Sequence, residues 1–578
     1  MNILVVLLVS LVILACGYLF YGRWLARQWG VDPSKKTPSH ELEDGMDYVP
    51  AKAPVLMGHH FSSIAGAGPI NGPIQAAIFG WVPVLLWVVV GGVFFGGVHD
   101  FGALFASIRN RGQSIGEVIR DTMGQKAKRL FLTFAWLTLL LVVAAFASIV
   151  ASTFGNTNAA GVALEGANLD ANLSTAVISV LFILLAIVFG ILVYRNNLNV
   201  GIASVIGCVG IMLIVLIGLN WHPLSLSYNV WMYVLGVYIL IASVTPVWIL
   251  LQPRDYLSSF LLYFMIIVAV ISVIGAALTG TGATAMPAFT GIKATGNGLF
   301  TSGTVFPALF VTIACGAISG FHSLVSSGTT AKQIDNEKDA MPIGYGAMLI
   351  ECIVAVLALC AVAYIWNDVN VPAEELKLGS PTIVFATGLS RMLGSFTNPA
   401  VQGVIYQMLV LAVSVFCLTS LDTATRLARY MFQEFWLNEG ETPKDATGIR
   451  GILANPYVST AITVVLGVAL GLTGYSKIWP LFGAANQLLA ALALLSVCAW
   501  LGNAGRNNKM FYFPMAFMLV VTLTSLVFTM QQKFTAIMAG GDIFAPVVQL
   551  VLAVVLFVLA IVLAVKGAKV IFGNKKTA

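Results

Sequence analysis

The stretch GAGPINGP occupies residues 66–73, in the middle of an apolar run that extends from residue 56 to residue 78. Proline lacks a backbone donor and glycine lowers helix propensity, so this stretch interrupts a helix. In a bilayer the freed backbone groups need partners, and such a break occurs where protein or a water-filled cavity receives it. The stretch therefore predicts a discontinuous helix that lines a binding site. A proline-kinked packing helix is the plainer alternative.

The composition around this stretch is that of an integral membrane protein. Hydrophobic residues make up 59% of the 578 and charged residues only 9%, whereas soluble domains carry about 25% charged residues. A helix needs about 20 apolar residues to cross a bilayer. We predict an all-α protein with fifteen transmembrane spans, numbered here in chain order: 3–21, 56–78, 82–106, 129–154, 174–194, 198–219, 229–251, 256–279, 304–326, 344–366, 401–423, 458–474, 478–501, 511–530 and 544–566.

The distribution of basic residues supports this count and gives the orientation. With the N-terminus outside, the segments on the inner side hold 25 of the 30 lysines and arginines and the outer segments hold 5. Cytoplasmic loops carry such an excess of lysine and arginine. We therefore expect an outside N-terminus and a cytoplasmic C-terminus. The chain shows no lysine- and arginine-dense region that suggests nucleic acid as a partner.

A second interruption is expected in span 7, where Pro246 follows Ser243 and Thr245. Spans 2 and 7 are five apart and therefore antiparallel, and interrupted spans in inverted positions are typical of a transporter site. Spans 2–6 and 7–11 are then two inverted halves. The predicted units are an N-terminal helix with an inner loop (1–55), a first repeat (56–219, within 56–279), a second repeat (229–436) and C-terminal helices (437–578).

Several motifs resemble those of the carbon starvation protein A (CstA) family. They are GHHF at 58–61 with IAGAGP at 64–69, VHDF at 98–101, PVW at 246–248 with QPRDYL at 252–257, and SGFHS at 319–323 with SSGTT at 326–330. The resemblance covers roughly residues 1–510. It implies a transporter of the bacterial or archaeal inner membrane, linked to uptake of peptides and, in some members, of pyruvate. It also implies the LeuT-like five-plus-five inverted repeat, here with one additional N-terminal helix and about four C-terminal ones.

The two interruptions supply the candidate residues for binding a small-molecule substrate. These are Gly66, Ala67, Gly68, Pro69, Asn71, Ser243, Thr245 and Pro246. Ion coupling is expected from titratable or hydroxyl side chains inside the spans, because polar groups in the membrane interior are costly and usually have a function. The candidates are His59, His60, His99, Asp100, His322, Ser323, Ser326 and Ser327.

Two coupling ions remain open. Asp100 beside His99 suits a proton, since burial raises a carboxyl pKa toward neutral and imidazole titrates there. The hydroxyl run of span 9 suits sodium: in LeuT-like transporters such oxygens, with carbonyls of the broken first helix, hold the ion. Structural hydrogen bonding is the alternative for each group. Glu351 is expected in a structural pair, and Asp422 in an intrahelical pair with Arg426, four residues later.

Three functions fit the sequence. Ion-coupled uptake comes first, and a passive channel also tolerates a broken helix. A membrane redox protein would use the histidines as haem ligands, yet the chain has no C-x-x-C-H motif. We expect no metal, no cofactor besides the coupling ion (H⁺ or Na⁺) and no enzymatic activity. The oligomeric state is not readable from the sequence.

Overall fold

The computed structural model describes residues 2–45, 47–196, 198–438, 441–443, 445–540 and 543–573. In the first part the α-helices are α1 (Ile3–Cys16), α2 (Arg23–Trp29), α3 (Pro38–Glu41), α4 (Ala53–Ile64), α5 (Gly68–Ala76), α6 (Trp81–Leu86), α7 (Gly97–Arg109), α8 (Ile115–Met123), α9 (Gln125–Phe154), α10 (Gly166–Gly190), α11 (Val200–Asn220), α12 (Tyr228–Val244) and α13 (Leu251–Leu278).

In the second part the α-helices are α14 (Phe310–Ile313), α15 (Gly320–Gly328), α16 (Ala347–Tyr364), α17 (Trp366–Val369), α18 (Pro381–Gly394), α19 (Pro399–Trp436), α20 (Gly448–Ala454), α21 (Pro456–Gly471), α22 (Tyr475–Asn503), α23 (Tyr512–Met538) and α24 (Phe544–Phe572). The strands β1 (Lys293–Ala294) and β2 (Gly303–Thr304) pair antiparallel, with Lys293 opposite Thr304. Wider π-helical turns extend several of these helices, at Gly17–Gly22, Trp87–Gly96, Ile191–Arg195, Val305–Leu309 and Met341–Gly346.

Two helices begin at an asparagine followed by a proline. Asn398 precedes Pro399 at the start of α19, and its side chain accepts from the backbone N–H of Val401. Asn455 caps α21 in the same way, with Pro456 at the first position. Proline is pre-organised for the first turn, where its missing N–H costs nothing, and the asparagine satisfies one of the free donors.

Twelve helical segments of the described residues are long and apolar enough to cross a membrane, or thirteen if α20 and α21, bent by 64°, form one span. Each of the twelve coincides with a predicted span. The other predicted spans fall on the bent pair, on the shorter α12, and on α4 with α5, which a break separates. A mostly helical membrane protein is therefore confirmed, while the count of fifteen stays a prediction.

The helix of span 7 ends earlier than predicted. α12 stops at Val244, residues 245–250 are not helical, and α13 begins at Leu251. Proline disfavours the helical conformation of the residue before it, and Thr245 has an extended ψ of 141°. The interruption at Pro246 thus lies between two helices rather than within a span, which corrects the expectation above.

A different span carries the second internal break. In span 9, α14 ends at Ile313 and α15 starts only at Gly320. Ala314 has a φ of 42°, which turns the chain out of the helix. The long helices α9 and α19 pack along each other, and α22 lies buried against α7, α9 and α15. This packing surrounds both breaks with protein.

Candidate functional site

The predicted break in span 2 is present. Helix α4 ends at Ile64, residues 65–67 are not helical, and α5 begins at Gly68 with Pro69 in its first turn. Ala65 takes a ψ of 75°, which no α-helix tolerates. The predicted residues here are all buried: Gly66, Ala67, Gly68, Pro69 and Asn71. The interruption therefore lies inside the protein and not against lipid.

The two breaks lie against each other. A Cβ added to Gly68 would come 2.5 Å from Cβ of Cys315, inside the span-9 break. A Cβ added to Gly72 would come 2.4 Å from the carbonyl oxygen of Ile313. Only glycine allows this approach, because any side chain would force the two segments apart. The crossing of two unwound segments was not predicted, since span 9 has no proline near its break.

Beside this crossing lies a buried cluster of acids and imidazoles. Asp100 of α7 meets Nδ1 of His99 at 2.6 Å and Nδ1 of His322, on α15, at 2.7 Å. Nε2 of His322 lies 3.4 Å from a carboxylate oxygen of Glu351, on α16. All four side chains are buried. The structure thus joins three predicted coupling residues and adds Glu351, which had been expected in a merely structural pair.

The cluster is incompletely paired. Both carboxylate oxygens of Glu351, Nε2 of His322 and Nε2 of His99 have no hydrogen-bond partner among the described residues. Unsatisfied buried polar groups are costly and therefore rare. A proton that moves between the carboxylates and imidazoles would change which of them is satisfied. The arrangement is chemically suited to loading and releasing a proton.

Three groups in the same place could together hold a metal ion. The ligand atoms of Cys315, His322 and Glu351 all lie within 4.8 Å of one another. Their donor set of one sulfur, one nitrogen and one oxygen suits a borderline metal such as zinc. Cys315 already meets the hydroxyl of Ser319 at 3.3 Å and the amide of Asn486 at 3.5 Å. The three groups are thus placed so that they could bind a metal, and the expected absence of a metal stays a prediction.

A second buried network lies at the end of α4. Arg254 of α13 forms ion pairs with Asp255, at 2.8 Å, and with Asp422 of α19. The hydroxyl of Tyr238 donates to Asp422 at 2.6 Å. Asp255 also meets Nδ1 of His59 at 3.2 Å. Two acids share one guanidinium here, and His59 belongs to this network.

The predicted Asp422–Arg426 pair is wrong. Arg426 instead donates to the carbonyls of Ala242, at 2.8 Å, and Thr245, at 2.5 Å. These carbonyls are freed where α12 ends, so the guanidinium closes that helix. Helical spacing puts both side chains on one face, but Asp422 forms its ion pair with Arg254 of another helix.

Ser243, Thr245 and Pro246 do not join the span-2 break. Ser243 bonds the hydroxyl of Thr460 at 3.3 Å, and the Thr245 hydroxyl donates to the carbonyl of Ile241 at 2.8 Å. Pro246 is exposed on the surface. Because this interruption lies at a helix end, its freed groups are satisfied locally. The structure gives these three residues no place beside the crossing.

The hydroxyl run of span 9 is mostly satisfied within its own helix. Ser323 donates to the carbonyl of Gly320 and Ser327 to that of Ser323, each at 2.7 Å. The buried Ser326 hydroxyl has no partner among the described residues. His60 bonds the hydroxyl of Thr330 at 2.8 Å. These contacts do not bring Ser323 or Ser327 to the carbonyls of span 2.

Two other hydroxyls do reach those carbonyls. Thr419 and Ser420 of α19 donate to the carbonyls of Ser62 and Ser63, each at 3.3 Å. Both carbonyls belong to the last turn of α4, just before the break. Thr419 and Ser420 were not among the predicted site residues, although the run TSLDT at 419–423 is polar for a membrane helix.

The chain is similar to transporters along most of its length. The family model of carbon starvation protein CstA matches residues 2–380 and 371–525. Peptide transporter CstA of Bacillus subtilis is 34% identical over 532 residues, which cover 86% of this chain and 84% of the relative. Pyruvate/proton symporter BtsT of Escherichia coli is 31% identical over 565 residues, covering 85% of this chain and 76% of the relative.

Among solved structures, a manganese transporter mutant of Eremococcus coleocola covers 92% of this chain and 99% of its own, with a TM-score of 0.49 and 12% identity. MhsT in complex with L-phenylalanine covers 82% of this chain and 99% of its own, with a TM-score of 0.47 and 11% identity. The matched length and the identity to the relatives establish the family. The chain belongs to the carbon starvation protein CstA family.

Proposed function

We propose that this protein is a secondary active transporter that takes up small peptides or pyruvate across the inner membrane of a bacterium or archaeon. The observation that carries this proposal is the crossing of two interrupted helices, at Gly68 and Cys315. Unwound backbone in the middle of membrane helices is the usual place for a substrate. The names of the relatives support the substrate class, because peptides and pyruvate both present a carboxylate.

The span-2 break offers groups for both ends of a peptide. Helix α5 starts at Gly68, whose backbone N–H lies at the positive end of the helix and favours an anion such as a carboxylate. Pro69 has no N–H, and those of Ile70 and Asn71 bond the carbonyl of Ala67. In the first turn of the same helix, the buried amide oxygen of Asn71 has no partner among the described residues. It is free to accept from the ammonium of a peptide. Pyruvate would use the carboxylate position alone.

The contacts support a division of the inverted repeat that differs from the predicted halves. Helix α5 packs against α14, α7 against the turn before α16, α9 against α19, and α12 against α21. Helix α13 packs against α4 and α19. Helix α22 packs against α15 and α9, which are the corresponding helices of the other half. The first half is then spans 2, 3, 4, 7 and 8, with spans 5 and 6 as an inserted hairpin, and the second half is spans 9–13.

Proton coupling through Asp100, His322 and Glu351 is the leading mechanism. These groups lie on three helices, α7, α15 and α16, that meet beside the second break. If α15 tilts as the site alternates between the two sides, the His322 contacts to both acids change. A proton taken up on one side would then be released on the other. The name of the Escherichia coli relative supports a proton.

Sodium is the alternative coupling ion. Oxygen ligands hold a hard cation, and the Ser62 and Ser63 carbonyls with the Thr419 and Ser420 hydroxyls supply four oxygens at the break. The sodium ligands predicted from the sequence, Ser323, Ser326 and Ser327, are weaker candidates than these four oxygens. Two of their hydroxyls bond carbonyls of their own helix.

The test is uptake into proteoliposomes that contain the purified protein. Labelled pyruvate and a labelled dipeptide are offered while the proton and sodium gradients are varied separately. We expect accumulation of at least one of them against its gradient, driven by one ion. Counterflow distinguishes a carrier from a passive channel, because an open pore cannot load by exchange. A visible absorption spectrum of the purified protein tests for haem. No gradient-driven accumulation of either substrate would contradict the proposal.

A further inference from the structure

A cavity of about 390 Å³ lies at the far end of α15 from the break. Its lining includes Ser114, Ser327, Lys332, Tyr430 and Glu434. Helix α15 begins at the second break and rises about 1.5 Å per residue, so the cavity lies about 12 Å or more from the crossing. The basic residues around it belong to segments predicted on the inner side. The cavity therefore lies on the side of the crossing that is predicted to face the cytoplasm.

Lys332 is the cation that faces this cavity without an acid. Its Nζ lies 5.3 Å from the ring centre of Tyr48 and 5.7 Å from that of Tyr430. The rings stabilise a cation without neutralising it. Its ammonium takes part in no ion pair or hydrogen bond within the part of the chain that the structure describes. The positive charge of Lys332 is thus held beside the two rings and remains available to an anion.

The acids that line the cavity are paired with cations other than Lys332. Glu434 meets Nζ of Lys128 at 3.0 Å. Glu117 forms an ion pair with the same Lys128 and another with Arg120, at 2.8 Å. Arg120 also pairs with Asp121, at 3.1 Å. Three carboxylates therefore face two cations, and none of the three forms an ion pair with Lys332. Among the described residues that line the cavity, Lys332 is thus the cation that no acid pairs with.

A second cation lies behind the aromatic wall. The guanidinium of Arg429 stacks on the ring of Tyr430, 4.6 Å from its centre. Arg429 is buried, and it forms no ion pair among the described residues. Tyr430 is thus flanked by Arg429 and Lys332, and the negative charge of Asp47 acts on Arg429. An anion in the cavity would gain most directly from Lys332, which lines the cavity, whereas Arg429 lies behind the ring of Tyr430.

We propose that this cavity is an anion site that binds a carboxylate group, with Lys332 as its ion-pair partner. The cavity lies between α15, which starts at the crossing, and α19, which packs along α9. Movement of α15 relative to α19 would open and close it. The carboxylate is either that of the transported substrate on its way into the cell or that of a cytosolic anion that regulates transport. The first source rests on the proposed function, and the second does not.

Binding is tested without transport. The melting temperature of the purified protein is measured with increasing sodium acetate, with sodium chloride as the control salt. A ligand that binds the folded state raises the melting temperature with its concentration. We expect a rise with acetate that Lys332→Gln loses, Lys332→Arg retains and Lys338→Gln leaves unchanged. Lys338 is an exposed lysine six residues away that does not line the cavity. Equal acetate shifts in wild type and Lys332→Gln, or no shift in wild type, would overturn the proposal.

The source of the carboxylate is tested in oriented proteoliposomes. If the site receives substrate, Lys332→Gln raises the half-saturating substrate concentration on the inner side about tenfold and leaves the outer value unchanged. If it receives a regulator, the inner value is unchanged, and acetate inside the vesicles alters wild-type uptake but not that of Lys332→Gln. Acetate binding by a protein that transports neither pyruvate nor peptides would refute the proposed function while supporting the anion site.

Discussion

Gly68 and Cys315 touch across the two breaks, so closely that a Cβ on Gly68 would lie 2.5 Å from Cβ of Cys315. The contact joins the start of α5 to the segment between α14 and α15, where a 3₁₀ turn (Ala314–Gly316) interrupts the α-helix. Any side chain at position 68 must displace one of the two segments. The close approach at the crossing therefore requires glycine at position 68, as it does at position 72.

Gly68→Leu is expected to abolish uptake while the protein remains in the membrane. The leucine would separate the two breaks, and the binding geometry would be lost. Uptake of labelled substrate, normalised to the amount of protein in the membrane, checks this. Gly403→Leu is the matched control, because Gly403 is a helical glycine with no atom within 4 Å of an added Cβ. Full transport by Gly68→Leu would show that the crossing is not the site.

Asp100→Asn is expected to abolish proton-driven accumulation and to spare exchange of substrate across the membrane. The amide keeps the shape of the carboxylate but cannot carry a proton, and exchange requires no net proton movement. Glu351→Gln should behave in the same way. Accumulation and counterflow are measured side by side, with Asp121→Asn, an exposed acid, as control. Normal accumulation by both cluster variants would leave the proton mechanism without support.

Sodium coupling predicts a different pattern. Thr419→Ala and Ser420→Ala would remove oxygens beside the carbonyls of Ser62 and Ser63, and uptake would then require a higher sodium concentration. Ser326→Ala and Ser327→Ala should have mild effects. The sodium dependence of uptake is measured for all four variants. Unchanged dependence in Thr419→Ala and Ser420→Ala argues against a sodium site there.

Loss of one partner from the buried Arg254–Asp422 pair should destabilise the protein strongly. Arg254→Met leaves Asp422 and Asp255 as buried acids without their cation. Breaking such a pair costs about 3–5 kcal/mol. The double change of Arg254→Met with Asp422→Leu should recover part of the loss. Thermal unfolding in detergent measures both. If the single variant unfolds at the wild-type temperature, the pair contributes no stability.

The charge distribution predicts that the two termini lie on opposite sides of the membrane. Reporter fusions at the first and the last residue are expected to place the N-terminus outside and the C-terminus inside. A reporter in the connection between α7 and α9, which carries several basic residues, serves as an inner control. Termini on the same side would contradict an odd number of spans.

The sequence by itself was sufficient for the membrane class, for most helix positions and for the break at residues 65–67. These features are local: apolar length decides whether a segment spans, and clustered glycine and proline break a helix wherever it packs. The motifs alone also indicated the family. Asp100, His99 and His322 could also be proposed from local sequence, because polar side chains stand out in apolar runs.

The partners of these residues were decided by the tertiary structure. The second break appears at 314–319, where no proline marks it, because that segment packs against α5. Glu351 meets His322, and Asp422 meets Arg254 rather than Arg426, because each acid faces a neighbouring helix. Spacing along one helix states which side chains share a face, but not what lies opposite. In a buried cluster the charge on the opposite helix determines the pairing, and only the packed structure brings that helix into place.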